Sequence, residues 1–144
     1  MKAAELFDNW LEGSIHRDKQ VDAHGVHLTV AEVLAAHSRG NVDFGGSELQ
    51  PSSTHPVEPT EHKPSDKYAW WRLDEGSYIV RFNEGLKEGA PPMLLVGSER
   101  LLSCGCALAA AVCAGGEIRS VLTVPKCGVR IKQNARIALL RPLA

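Results

Sequence analysis

The sequence predicts a mostly β protein, built as a sandwich, barrel or jelly roll. Short apolar runs with two-residue alternation recur through the second half: "SYIVRFNEG", "PPMLLVGS", "EIRSVLTV" and "GVRIKQNARIALLRPL". Gly and Pro punctuate them at short intervals. No internal repeat and no heptad pattern competes with that reading. Strands of this kind bury one face each and close a core by packing sheet on sheet.

Each element follows in order. "AAELFDNWLEG" sets Leu6, Phe7, Trp10 and Leu11 at helical spacing before Gly13, so a short amphipathic helix opens the chain. In "GVHLTVAEVLAA", Val26, Leu28 and Val30 alternate, while Ala31 to Ala36 would accept a helix. The β-branched residues at its start favour strand. Residues 40–67 hold Pro51, Pro56, Pro59 and Pro64 and few apolar residues, which predicts a long loop or extended arm. Tyr78, Val80 and Phe82 share one face of the next strand. "PPMLLVGS" is a short strand entered through a double proline. "CALAAAVCAGGEIRS" reads as a β-hairpin whose two apolar runs meet at Gly115 and Gly116. In the last block Val129 and Ile131 point inward and Arg130 and Lys132 outward, before a "QN" turn and a final strand.

The 144 residues suit one domain over 1–144. A domain of this size buries roughly 70% of its unfolded surface and requires no metal or disulfide. The formal net charge is −1, from 16 basic and 17 acidic residues. That argues against nucleic acid or a membrane surface as partner, since both call for a basic excess. No apolar run nears the roughly 20 residues that span a bilayer. The opening residues carry acids where a secretory signal is apolar. A cytoplasmic location is the expectation; Cys104, Cys106, Cys113 and Cys127 would be reduced thiols in most cytosols, and in a hyperthermophile some could pair.

Three segments then line up: "GVHLTV", "GSYIVRFNE" and "GSERLLSCGCALAAAVCAGGEIRSVLTVPKCGVRIKQNARIALL". Together they resemble the dUTPase and dCTP deaminase superfamily, most closely its archaeal members. The resemblance implies a distorted jelly roll (a dUTPase-like β-clip). It implies a homotrimer with sites between subunits, each built from motifs of different chains. In active members it implies a deoxynucleoside triphosphate with Mg²⁺ carried mainly by the phosphates.

The positions that carry the family's chemistry differ here. The family's "GVDL" has an acid where this chain has His27. Its phosphate motif "PRSSLLRxG" matches Gly97 to Gly105, with Ser98 in the arginine's place and Glu99 and Arg100 in place of two serines. Its hairpin "AVWDPGYEGRS" supplies an Asp that positions the sugar and activates water, and a Tyr that packs under the sugar. Here "AVCAGGEIRS" is one residue shorter, Ala114 takes the Asp position and no Tyr follows. "RIAQ" has become Arg136, Ile137, Ala138 and Leu139. The glycine-rich closing tail of the dUTPases has no counterpart before Ala144.

An alanine cannot abstract a proton from water. A carboxylate at Glu99 would repel a triphosphate, by about 1–4 kcal/mol at about 4 Å. The expectation is a catalytically inactive member that binds a nucleotide or another ligand at inter-subunit clefts. Its contacts would come from Ser98, Arg100, Ser103, Ala114, Gly115, Gly116 and Arg136. The alternative is a divergent hydrolase or deaminase of dUTP or dCTP, using Mg²⁺, with Glu117 and Glu99 as catalytic candidates beside Arg100 and His27.

Blander readings compete. Glu99 and Glu117 also fit as solvated or ion-paired surface acids beside Arg100 and Arg119. His24 and His27 with Cys104 and Cys106 would make a metal site only with unusual spacing, because one residue separates the cysteines. No resident metal is expected. Cys113 as a nucleophile lacks an evident partner. Trp70 and Trp71 either stack a base or pack in the core or at an interface. His55 and His62 fall in the proline-rich segment and should be exposed. That segment could itself serve as a protein-interaction arm.

Overall fold

The computed structural model describes residues 1–143. The chain opens with helix α1 (Ala3–Trp10), strand β1 (Leu11–Glu12), helix α2 (Arg17–Gln20) and strand β2 (Val21–Asp22). Then come β3 (Gly25–Ala36), β4 (Thr54–Pro56), β5 (Trp70–Leu73), β6 (Gly76–Leu86) and β7 (Met93–Gly97). Helix α3 (Glu99–Ser103) leads to β8 (Ala107–Leu108), β9 (Ala111–Cys113), β10 (Gly116–Val124), β11 (Val129–Lys132) and β12 (Arg136–Pro142). All strand pairs are antiparallel.

Ten strands form one sheet, in the order β8-β10-β6-β3-β12-β7-β9, with β1 on β6 and β2 and β4 on β3. β8 lies at one end of that order and β9 at the other. Yet Leu108 and Ala111 are three residues apart, which the chain spans in at most about 10 Å. The sheet therefore curls until its two ends meet. A Cβ added at Gly97 of β7 would stand 3.2 Å from the Cβ of Leu108, so glycine lets the ends approach. This is the mostly β, curled architecture the sequence implied, with its short N-terminal helix. β5 and β11 form a separate two-stranded ribbon.

Alternation explains the core. Val26, Leu28 and Val30 point inward from β3, and a bulge after Val30 resets the pattern so that Val33 is inward too. Val80, Phe82 and Leu86 do the same on β6, and Ile118, Leu122 and Val124 on β10. Leu6 and Phe7 of α1 are buried, so the helix packs its apolar face on this core. The region of "GVHLTVAEVLAA" that would accept a helix is strand to its end, because β4 and β6 both pair with it.

Residues 40–67 are largely irregular, as the prolines required, with one short edge strand, β4. They are tied down at Val57, whose N–H donates to the Val33 carbonyl at 2.8 Å. The Trp71 indole N–H donates to the Val57 carbonyl at 3.0 Å.

The hairpin expected from the sequence does not form as such. β9 and β10 do not pair with each other: β9 joins β7, while β10 joins β6 and β8. Only the base is hairpin-like, with Leu122 opposite Leu108 and Thr123 opposite Ala107. Above it the arms part: β9 turns to the edge of β7, and β10 runs on along β6.

Candidate functional site

The segment matching the family's phosphate motif is a short helix, not a strand. Within it successive residues turn by about 100°, so Glu99 and Arg100 point in different directions. Ser98 is buried, and its backbone N–H donates to the Ile137 carbonyl at 2.9 Å. Its Oγ has no hydrogen-bond partner among the described residues. Glu99 is exposed. The Ser103 hydroxyl donates to the Arg100 carbonyl at 2.7 Å, so it serves its own helix end. Leu101 anchors the helix in the core.

Beside α3 lies an open cleft of about 510 Å³. It brings Arg100 and Arg136 together with Arg130 and Lys132, and with the rings of Tyr68 and Trp70. Leu101, Ile131 and Ile137 give it an apolar lining; among the described residues no carboxylate lines it directly, though Asp66 stands behind it, 3.7 Å from the Lys132 ammonium. The ribbon β5–β11 builds one side: Trp70 stands opposite Lys132 in its register. The Lys132 ammonium lies 5.3 Å from the centre of the Trp70 ring, a cation–π contact. The Trp70 indole N–H donates to Asp66 at 2.9 Å. Removal from water pushes the Asp66 carboxyl upward. The Lys63 N–H, the Trp70 N–H and the Lys132 charge outweigh that and hold it below its ordinary value. Arg136 donates from Nη1 to the Lys19 carbonyl, which fixes its side chain against α2.

The glycine turn faces a different recess. Gly115 and Gly116 both take positive φ, 58° and 84°, a pair that only glycines adopt without strain. Ala114 and Gly115 are exposed at the tip. Gly116 pairs with Leu86 and Glu117 with Gly85, and a bulge follows before Arg119. The recess beside them, about 380 Å³, is lined by Glu12, Gly13, Arg81, Asn83, Gly116 and Glu117 among others. Glu117 lies 3.4 Å from Arg81, not beside Arg119 as the sequence suggested. Arg81 also faces Glu32 at 3.7 Å.

The remaining candidates divide similarly. His27 Nε2 lies 2.6 Å from an Asp22 oxygen. Burial raises Asp22, but the bond to His27, the His24 backbone N–H and the charges of both histidines leave its carboxyl below the ordinary value. His24, His27, Cys104 and Cys106 form no metal-holding cluster among the described residues. Burial pushes the thiols of Cys106 and Cys113 up, away from the reactive thiolate. Trp71 is a core residue, whereas its neighbour Trp70 reaches the cleft. His55 and His62 are exposed.

Two features escaped the sequence reading. One is the cleft, assembled from three distant segments. The other is Glu84, 1% exposed, which accepts from the Thr29 N–H, the Thr29 hydroxyl and the Gln20 amide at 2.6–2.8 Å. Its signal was present: Glu84 follows Val80 and Phe82 at inward spacing on β6.

No family model matches the chain. It is 34% identical over 138 residues to a Methanosarcina mazei protein named probable deoxyuridine 5'-triphosphate nucleotidohydrolase, covering 90% of this chain and 75% of that one. A Methanosarcina acetivorans protein of the same name is 33% identical over 147 residues, covering 96% and 81%. One from Methanococcoides burtonii is 32% identical over 136 residues, covering 90% and 76%. The crystal structure of a 2'-deoxycytidine 5'-triphosphate deaminase from Agrobacterium tumefaciens superposes with a TM-score of 0.63 at 11% identity. That match covers 96% of this chain and 44% of the deaminase, and it speaks to fold alone. With the curled β architecture and one-third identity across most of its length, the chain belongs to the dUTPase and dCTP deaminase superfamily.

Proposed function

We propose that this chain is a noncatalytic member of its superfamily, a single domain of the cytoplasm that binds a phosphorylated aromatic ligand rather than turning it over. The observation that carries the reading is the split between cations and acids. Arg100, Arg130, Lys132 and Arg136 gather in one cleft with two aromatic rings, while Glu117 lies in another recess, held by Arg81. Guanidinium groups grip phosphate oxygens in pairs, and a flat ring stacks on Trp70 or Tyr68. The exposed Ala114–Gly115 tip offers backbone but no base.

The family's assembly fits this division. In a homotrimer, the glycine turn of one copy would meet the basic cleft of another, and ligand contacts would come from both. Mg²⁺ would arrive on the phosphates, since among the described residues no carboxylate lines the cleft to hold it. No membrane-crossing helix is found among the described residues.

The test is thermal unfolding with dUTP, dCTP and their monophosphates, each with Mg²⁺, and product analysis on the same samples. A ligand at about 100 times its Kd adds about 2.7 kcal/mol of stability. Stabilisation without product supports the reading. Product formation refutes it, and so does the absence of any shift.

A divergent enzyme is the second reading, favoured by the His27–Asp22 pair, an imidazole and carboxylate in hydrogen-bond contact. Turnover that disappears in His27→Ala or Glu117→Gln would establish it.

A further inference from the structure

The loop of residues 40–50 is ordered by its own bonds. Asn41 and Gln50 exchange backbone hydrogen bonds of 2.8 and 3.0 Å, and their side-chain amides meet at 3.1 Å. The Asp43 carboxylate accepts from the Gly46 N–H at 3.1 Å and the Glu48 N–H at 2.9 Å. This scaffold presents apolar side chains to water: Phe44 is fully exposed, Val42 is 90% exposed and Leu49 56%. An aromatic ring held out on a pre-formed tip loses little freedom when it docks and gains by leaving water. The tip also carries Asp43 and Glu48 and no cation.

Its chemistry complements the cleft beside α3. The cleft offers Tyr68, Trp70 and four cations, of which Lys132 already faces Asp66 at 3.7 Å and the three arginines have no carboxylate within salt-bridge distance among the described residues. We propose that the tip seats in this cleft on a second copy of the chain, with Phe44 against the aromatic rings and Asp43 and Glu48 facing the cations. A ring flanked by negative charge is also the chemistry of a nucleotide, so the arm and the ligand compete for one site. This inference rests on the reading of the cleft as a site for an aromatic anion, and it makes the arm that site's regulator. Ring–ring contacts supply the fit, and charge complementarity sets the orientation.

Cys104 lines the cleft and is exposed, which provides a reporter. Ser47→Cys places a thiol beside Phe44 without removing it, and Cys127→Ser removes the other exposed thiol. Mild oxidation followed by peptide mass spectrometry should give a disulfide between position 47 of one copy and Cys104 of another. Phe44→Ala should cut its yield at least tenfold, and dUTP with Mg²⁺ should suppress it. Light scattering on the unmodified chain should show assembly whose midpoint moves at least tenfold to higher concentration in Phe44→Ala. Assembly unchanged by Phe44→Ala overturns the proposal, as does a chain that stays monomeric. Nucleotide binding to the uncrosslinked chain tests the cleft separately: its absence there, in a chain that still forms the disulfide on oxidation, refutes the ligand reading and leaves the arm contact standing.

Discussion

Thr29 holds both oxygens of Glu84: its backbone N–H donates to Oε1 at 2.8 Å and its hydroxyl to Oε2 at 2.6 Å. The contact joins β3 to β6 at the centre of the sheet. Asn83 extends it, donating to the Thr29 hydroxyl oxygen and to the Asn134 side chain at 2.9 Å each. Through Asn134 the buried polar chain reaches the turn before β12. Thr29→Val removes the hydroxyl and strands its partners in a dry setting. The expected loss is about 1–3 kcal/mol. Urea unfolding should show a lower midpoint with an unchanged slope.

The same carboxyl gives a pH dependence. Burial raises Glu84 above the ordinary glutamate value, despite the three donors that pull it down. The folded state therefore holds this proton more tightly than the unfolded state. The associated stability is fully present below the unfolded value and is lost as pH rises through the folded one. Stability measured from the ordinary glutamate range upward should fall across that window. Glu84→Gln should flatten the fall; an unchanged slope would show that other groups cause it.

Much of the fold was legible because strands with one buried face must alternate, as at Val80 and Phe82 or Ile118 and Leu122. Glu84 sits in the same alternation but reads as a surface charge, since only Thr29 and Gln20, 55 and 64 residues away, make its burial tolerable. The hairpin failed for a related reason. Its local pattern was sound, but the two arms pair with β7 and β6, which no local spacing reveals. The cleft joins Trp70, Arg100 and Arg136 across the chain, and no local spacing announces that. What sequence did disclose was the turn without a base, because Ala114, Gly115 and Gly116 are adjacent.

Trp70 and Trp71 separate binding from stability. Trp71 is 2% exposed, and its truncation to Ala should cost about 3–5 kcal/mol. Trp70 lies half-buried at the cleft, so Trp70→Ala should cost less in unfolding and more in ligand affinity. Calorimetric titration beside thermal unfolding of both variants checks the contrast. Equal effects on binding would remove Trp70 from the site.

Ser98 offers a test of opposite sign. Its buried Oγ lacks a partner among the described residues, so Ser98→Ala gives up no hydrogen bond and removes an unsatisfied group. Stability should hold or rise by about 1 kcal/mol. A loss of that size would mean that a neighbouring copy or a ligand satisfies the hydroxyl, and the loss should then depend on protein concentration or on added nucleotide.

Arg136 and Arg100 decide whether the cleft reads phosphate. Both line it, together with Arg130 and Lys132. Each guanidinium that meets a phosphate oxygen contributes about 1.5–3 kcal/mol as a charged hydrogen bond, so Arg100→Gln should weaken triphosphate binding by roughly tenfold or more. Arg136→Gln acts on two contacts, because the guanidinium also donates to the Lys19 carbonyl. It should lower stability slightly as well as affinity, whereas Arg100→Gln should leave stability unchanged. Salt supplies the control. Exposed charges are screened within about 8 Å at physiological ionic strength, so affinity for a triphosphate should fall steeply with added salt and affinity for the nucleoside should not. Binding that ignores both salt and the two arginines would place the ligand elsewhere on the molecule.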